Sequence, residues 1–337
     1  MPAEIESMMW YGDRPWHGLG TEVLEMQTSE DALVKAGLNW EVEKKKLFIS
    51  GNEDDSGPFL EVDGNFAIVR KTDGKALGVV GSRYVPFQNR DAFKWFDDLV
   101  GSREAIYETA GSLRGGKIIW IMSKLPNHLG WSDDPIEQWL VLSNSHDGSR
   151  QVSVMATPIR VVCMNTLNAG IHRASAFFEM RHTSRISELQ TIIDAREVLG
   201  TVTRYFEELD GVLRLLKSYS MGEQETQQYI YNLFPAKTKS QPAPDVGGET
   251  EDFEFGANVQ KYVSKILELM ETGKGSDIPG VRGSAYGAFN AVTEFIDHWQ
   301  PVKGKAEKMS NKLFSIWFGN GRVFKQRAFN QLVDLVA

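Results

Sequence analysis

One cysteine in 337 residues, Cys163, excludes an internal disulfide framework, and its setting in PIRVVCMNTL suits an inert packed thiol better than a nucleophile. No run of about 18 apolar residues is present to cross a bilayer, so no membrane partner is expected. The first residues carry no basic-then-apolar leader pattern, which makes the cytoplasm the expected location. The signatures GxxxxGK[ST], GxGxxG, HExxH, GxSxG and CxxC are all missing, which removes the commonest phosphate-cradle, dinucleotide, zinc-protease and serine-hydrolase readings. Six histidines stand at 17, 128, 146, 172, 182 and 298 with no i,i+4 pair among them. No metal and no cofactor is therefore expected.

What is present is an ordinary globular composition, 42% hydrophobic and 24% charged, with a net charge of −8. That sum hides a block pattern. Residues 1–63 hold 14 acidic and 5 basic side chains, and residues 186–254 hold 13 and 6. Between and after them the sign reverses, with 15 basic against 11 acidic over 64–185 and 11 against 7 over 255–337. A polyanion has two basic blocks to meet while the acidic blocks face away or contact neighbouring subunits.

The pattern of elements predicts an α+β fold: an antiparallel, hairpin-rich sheet with a long packing helix, followed by a helical C-terminal region. Thr28 and Ser29 start a short helix that ends at Gly37. WEVEKKKLFI, NFAIVRKT and VVGSRYVPFQN read as strands, the last closed by Pro86, and Asn89 reads as the cap of RDAFKWFDDLVG. Two hairpins follow. One turns at Arg114-Gly115-Gly116, and the other at Asp147-Gly148, a pair that favours a type I′ turn. PIRVVCMNTLNAGI reads as a strand leading into a helix that starts near Asn165 or Thr166. Apolar residues at three- or four-residue spacing predict one long helix from Ser184 to about Leu216 and a second over 222–233. The expected organisation is a β-rich unit over 1–183 with an aromatic N-terminal loop, a helical hairpin over 184–235, a Pro- and Gly-rich linker over 236–252 and helices over 253–337. The loop WYGDRPWHGLGTEV precedes a sheet expected to begin near residue 40 and is expected to fold back over it.

Arg, Lys, Asn and Gln recur among rings and glycines in RPWHGLG, SRYVPFQNR, SLRGGKIIW, NSHDGSRQV and RVVCMNTL, a composition suited to laying a flexible anion on turns and exposed strands. Arg83, Arg114, Lys117, Arg150, Arg160 and Arg181 are the candidate phosphate contacts. Tyr84, Trp16 and His17 are the candidate rings for base stacking.

Taken together, RPWHGLGTEV, SRYVPFQNRDAFKWFDDLVG, YETAGSLRGGKIIWIMSKLP, LVLSNSHDGS, TPIRVVCMNTLN, RHTSRISE, AYGAFNAVTEFIDH and FGNGRVFKQRAFNQL, in order from about residue 10 to 332, resemble the phage/plasmid-like family built on domain of unknown function 932. Paired hairpins followed by a long helix also resemble the β-β-β-α core of phage single-strand annealing proteins of the RecT and Redβ type. That second likeness implies a ring or helical homo-oligomer that binds single-stranded DNA in a basic groove and anneals it without ATP, in the cytoplasm of the host cell. Two other classes stay open: an enzyme using His146, Asp147, His172 and His182, and a structural or host-interaction protein that docks through its acidic blocks and the 236–252 loop.

Overall fold

The computed structural model describes residues 7–12, 20–24, 28–51, 57–100, 106–162, 165–166, 176–188, 195–234, 257–301 and 308–337. Trp16, His17, Cys163, His172 and the 236–252 segment lie outside the described residues.

The fold is α+β. Its centre is an eight-stranded sheet in which β10 (Asn165–Thr166), β9 (Val152–Arg160), β8 (Asp134–Ser145), β7 (Ile118–Trp131), β6 (Ile106–Leu113), β1 (Met8–Tyr11) and β2 (Thr21–Val23) follow in that order, with β11 (Ala176–Met180) also paired to β9. The long members are β6 (Ile106–Leu113), β7 (Ile118–Trp131), β8 (Asp134–Ser145) and β9 (Val152–Arg160), all antiparallel. A three-stranded sheet of β3 (Val42–Ser50), β4 (Phe59–Arg70) and β5 (Ala76–Gly81) stands beside it.

Side-chain alternation gives the large sheet two packed faces. Ile119, Ile121, Leu140, Leu142, Val152 and Val154 join the larger core, covered by α1 (Ser29–Lys35), α2 (Asn89–Val100) and α3 (Ala195–Ser218). The intervening Ile118, Trp120, Met122, Trp139, Val141 and Met155 point the other way, onto Leu313 and Phe318 of α7 (Lys308–Phe318). Between α3 and α7 the chain forms α4 (Glu223–Asn232), α5 (Ala257–Thr272) and α6 (Ala285–Glu294), and α8 (Asn320–Val336) ends it. Thr28 caps α1 in a reciprocal capping box with Asp31.

Several sequence expectations are corrected. The large sheet begins at residue 8, because β1 (Met8–Tyr11) pairs with β6 and, in parallel, with β2 (Thr21–Val23). Asn165 and Thr166 pair as β10 with Arg160 and Ile159, and the helix read beyond them lies outside the described residues. The helix read from Ser184 starts instead as a 3₁₀ turn over Ser184–Glu188, and regular α-helix is described from Ala195. The β8–β9 connection is no type I′ turn, which needs positive φ at both central residues. Only Gly148 has it. The Asp147 carboxylate instead accepts from Ser149 N–H (2.9 Å) and its hydroxyl (2.6 Å), holding a wider loop.

Arg160 is also placed differently from its reading as a phosphate contact. It is 1% exposed and its guanidinium grips both carboxylate oxygens of Asp134, at 2.7 and 2.8 Å. It further donates to the carbonyls of Lys274 and Gly275, while the Tyr286 hydroxyl donates to Asp134. This cluster ties the start of β8 and the end of β9 to the helical region, and no polyanion reaches it. Arg160→Ala leaves the Asp134 carboxylate buried and unpaired and is expected to lower unfolding free energy by about 3–5 kcal/mol. The exposed Arg83→Ala change is expected to stay within about 0.5 kcal/mol. Equal urea midpoints for the two variants contradict the lock.

Candidate functional site

The β8–β9 loop, the segment after β5 and the segment after β11 (Ala176–Met180) converge at one end of the large sheet. They enclose a cleft of about 600 Å³ lined by Arg83, Tyr84, Arg150, Arg181 and His182, with Ser82, Ser149 and Thr183 adding hydroxyls. Among the described residues no carboxylate lines it.

The close approach of the two sheets creates this cleft. A Cβ on Gly78 of β5 would sit 2.5 Å from the Cα of Asp147, so only glycine lets the small sheet touch the β8–β9 loop. Beneath it, His146 is fully buried and donates from Nε2 to Asn89 Oδ1 at 2.7 Å, which sets the ring's tautomer. Asn89 donates in turn to the carbonyl of Leu38, at 2.9 Å, so its side chain is a cross-link rather than the helix cap read from sequence. The Tyr84 hydroxyl donates to the Ser145 carbonyl at 2.7 Å, and its ring stacks on His182 at 4.6 Å. His182 Nδ1 meets the Val85 carbonyl at 3.3 Å while the His182 carbonyl accepts from Val85 N–H. Tyr84 is thus a wall of the cleft, one face covered and its hydroxyl occupied.

The arginines are held differently. Arg83 and Arg181 are exposed. Arg150 is half-buried, with Nε buried and unpartnered and its guanidinium over the ring of Phe318 at 4.6 Å. Burial first, then the charge of Arg322 and more weakly of Arg114, holds Arg150 below its ordinary value, with Glu179 and Asp147 opposing. Arg114, at φ 53 in the β6–β7 turn, lies over Phe314 at 3.7 Å. The carbonyl of Lys117 accepts from the His146 N–H, which brings that turn beside the β8–β9 loop. Arg83, Tyr84, Arg150 and Arg181 therefore line one cleft, Arg114 and Lys117 lie on the adjoining turn, and Arg160 stands at the opposite end of β9. Sequence reasoning missed Phe314 and Phe318, whose four-residue spacing on α7 puts both rings on one helix face, under the two arginines.

Of the residues considered for catalysis, His146 and His182 are pushed down by burial to about 3 and about 4. Both are neutral at pH 7. Among the described residues no group of three or more His, Cys, Asp or Glu is arranged to hold a metal ion. Below an unfolded value of 6.5 the unfolded chain binds two protons that the native state refuses, so stability falls as pH drops from about 6.5 toward 4. The expected slope from this pair approaches about 2.7 kcal/mol per pH unit, about 1.4 for each histidine. His182→Gln is expected to halve that contribution in urea unfolding across this window; an unchanged slope contradicts the assignment.

A family model described as Domain of unknown function (DUF932) matches residues 76–317, from β5 through most of α7. No curated protein and no solved structure matches. The matched span carries every arginine of the cleft together with the two phenylalanines whose spacing backs Arg114, and it covers well over half of the sequence. The chain belongs to the DUF932 family.

Proposed function

We propose that this chain is a phage-encoded protein that binds single-stranded DNA through its phosphates at the cationic end of the large sheet, and anneals complementary strands without ATP in the host cytoplasm. The observation that carries this reading is the convergence of Arg83, Arg150 and Arg181, from three separate segments, on one cleft that no carboxylate lines among the described residues. Arginine forks suit phosphate oxygens, and Arg114 and Lys117 on the neighbouring turn extend the positive surface beyond one cleft.

The rings favour annealing over base readout. Tyr84 has one face against His182 and its hydroxyl bonded to the backbone, while Phe314 has Arg114 across it. A surface that grips phosphates and offers few free rings leaves the bases available for pairing. Extending such a track over a useful length of strand calls for several copies of the chain. The β3–β4 hairpin supports this, because Ile49, Phe59 and Leu60 there are more than half exposed and available for subunit contact.

Binding of an unstructured oligonucleotide is expected to weaken steeply with salt, with log K falling by about 0.7 per decade of salt for each phosphate contact. Arg83→Ala, Arg150→Ala and Arg181→Ala are each expected to reduce that slope by about one contact's worth, measured by fluorescence anisotropy. Equal affinity at about 50 and 500 mM salt, or slopes unchanged in all three variants, overturns the proposal.

A further inference from the structure

A second cavity, of about 510 Å³, lies over the middle of the large sheet, between β7 and α3. Its origin is a local irregularity. The β7–β8 pairing passes from Lys124↔Trp139 directly to His128↔Glu137, so β7 carries two extra residues there. Pro126 lies in this bulge and has no N–H to offer the ladder. Opposite the bulge, Gln138 of β8 stands in the row of Ile136, Leu140 and Leu142, where every neighbour is apolar. Its side chain is 8% exposed, lines the cavity and makes no hydrogen bond among the described residues.

The rest of the cavity defines its chemistry. Val100, Leu129, Val202 and Phe206 give apolar walls. Asp210 accepts from the Gly130 N–H (2.8 Å) and from Arg214 Nε (2.7 Å), while Arg214 donates to the Gly130 carbonyl (2.7 Å). That clamp fixes α3 to β7 and neutralises the Arg214 cation. The exposed Glu207 carboxylate at the mouth has no such counter-ion among the described residues.

We propose that this cavity binds a neutral nucleobase or nucleoside, with the lactam or amide edge of the base on the Gln138 carboxamide and its faces against the apolar walls. A carboxamide presents a donor and an acceptor side by side, complementary to such an edge. The volume falls in the range of small-molecule sites. The carboxamide makes no hydrogen bond to the described residues, so both its donor and its acceptor are open to a ligand in the cavity. The unpaired Glu207 selects against phosphorylated forms. This site is separate from the cationic cleft: Gln138 and Ser145 are seven residues apart on β8, roughly 23 Å.

The test follows the side-chain amide signal of Gln138 by ¹⁵N–¹H NMR on the full chain, assigned by its loss in Gln138→Leu. Titration with adenosine, guanosine, cytidine and uridine is expected to give a saturable shift of that signal with at least one of them. Gln138→Leu is expected to weaken binding at least about tenfold, while its melting temperature stays level or rises because a leucine continues the apolar row of Ile136, Leu140 and Leu142. The matching 5′-monophosphate is expected to bind this site more weakly than the nucleoside, and Glu207→Gln, on the helix surface, to narrow that gap. No shift with any nucleoside at millimolar concentration overturns the proposal. So does full affinity in Gln138→Leu, or a monophosphate that moves the Gln138 signal at least as tightly as its nucleoside.

Discussion

The hydrogen bond from His146 to Asn89, 2.7 Å long and wholly buried, is the constraint on which the cationic cleft depends. It joins the loop after β8 to the first residue of α2. Asn89 carries the connection on to Leu38, and Trp40 sets its ring edge against His146 at 5.3 Å. Asn144, one step before Ser145, donates to the Phe87 carbonyl and fixes the other side of the same junction. The segment bearing Arg83 and Tyr84 is therefore held at both ends, by β5 before it and by Phe87 to Asn89 after it. With Gly78 admitting Asp147, the distance between Arg83 and Arg150 becomes a property of the core rather than of loop motion. A protonated His146 would place a charge in this junction with no carboxylate bonded to it, and burial keeps the ring neutral.

Two arginines at the ends of β9 show how environment divides one residue type into two roles. Arg160 has a carboxylate on two of its nitrogens and carbonyls for further donors, so its buried charge is satisfied. Arg150 has an aromatic face beneath it and other guanidinium groups for neighbours, Arg322 above all. A ring beneath a cation contributes about 0.5–2 kcal/mol. Partial desolvation of an unpaired charge costs several. The difference falls on the native state until an anion arrives, which is why a net charge of −8 for the whole chain does not forbid a polyanion at this end. The local excess decides, because exposed charges more than about 10 Å away are screened.

Local chemistry was legible in the sequence where it acted locally. Arg114-Gly115-Gly116 announced its turn because all three residues take positive φ and two are glycines. Thr28 announced α1 by its capping box, and Gly319 the break between α7 and α8. The gathering of Arg83, Arg150 and Arg181 was legible only as a recurring composition, and their meeting place depends on pairings between strands far apart in sequence. Long-range pairing also explains the failures. Met8–Tyr11 has no alternation and becomes a strand because β6 offers an open edge. Arg160 is taken inside by an acid 26 residues earlier on the neighbouring strand. Asp147-Gly148 carried a strong turn signal that a side-chain bond to Ser149 overrode. Gln138 gave no signal, since one polar residue in an apolar row reads equally well as a strand edge.

The same strand, β8, links these two environments, and their electrostatics keep them apart. At its C-terminal end the lining is cationic and hydroxyl-rich, and the nearest rings already have partners. Near its middle the lining is mixed, with apolar walls from Val100, Leu129, Val202 and Phe206, the Gln138 carboxamide below and the Glu207 carboxylate at the mouth. A phosphate gains at the first and is repelled at the second, while a neutral base has little to hold it at the first and both walls and a hydrogen-bonding edge at the second. On the proposed reading, a nucleic-acid strand running over the cationic end would be held through its backbone, leaving the bases free to find a complement. On the same reading, base-edge recognition would belong to the cavity, which a phosphodiester chain has no electrostatic reason to enter.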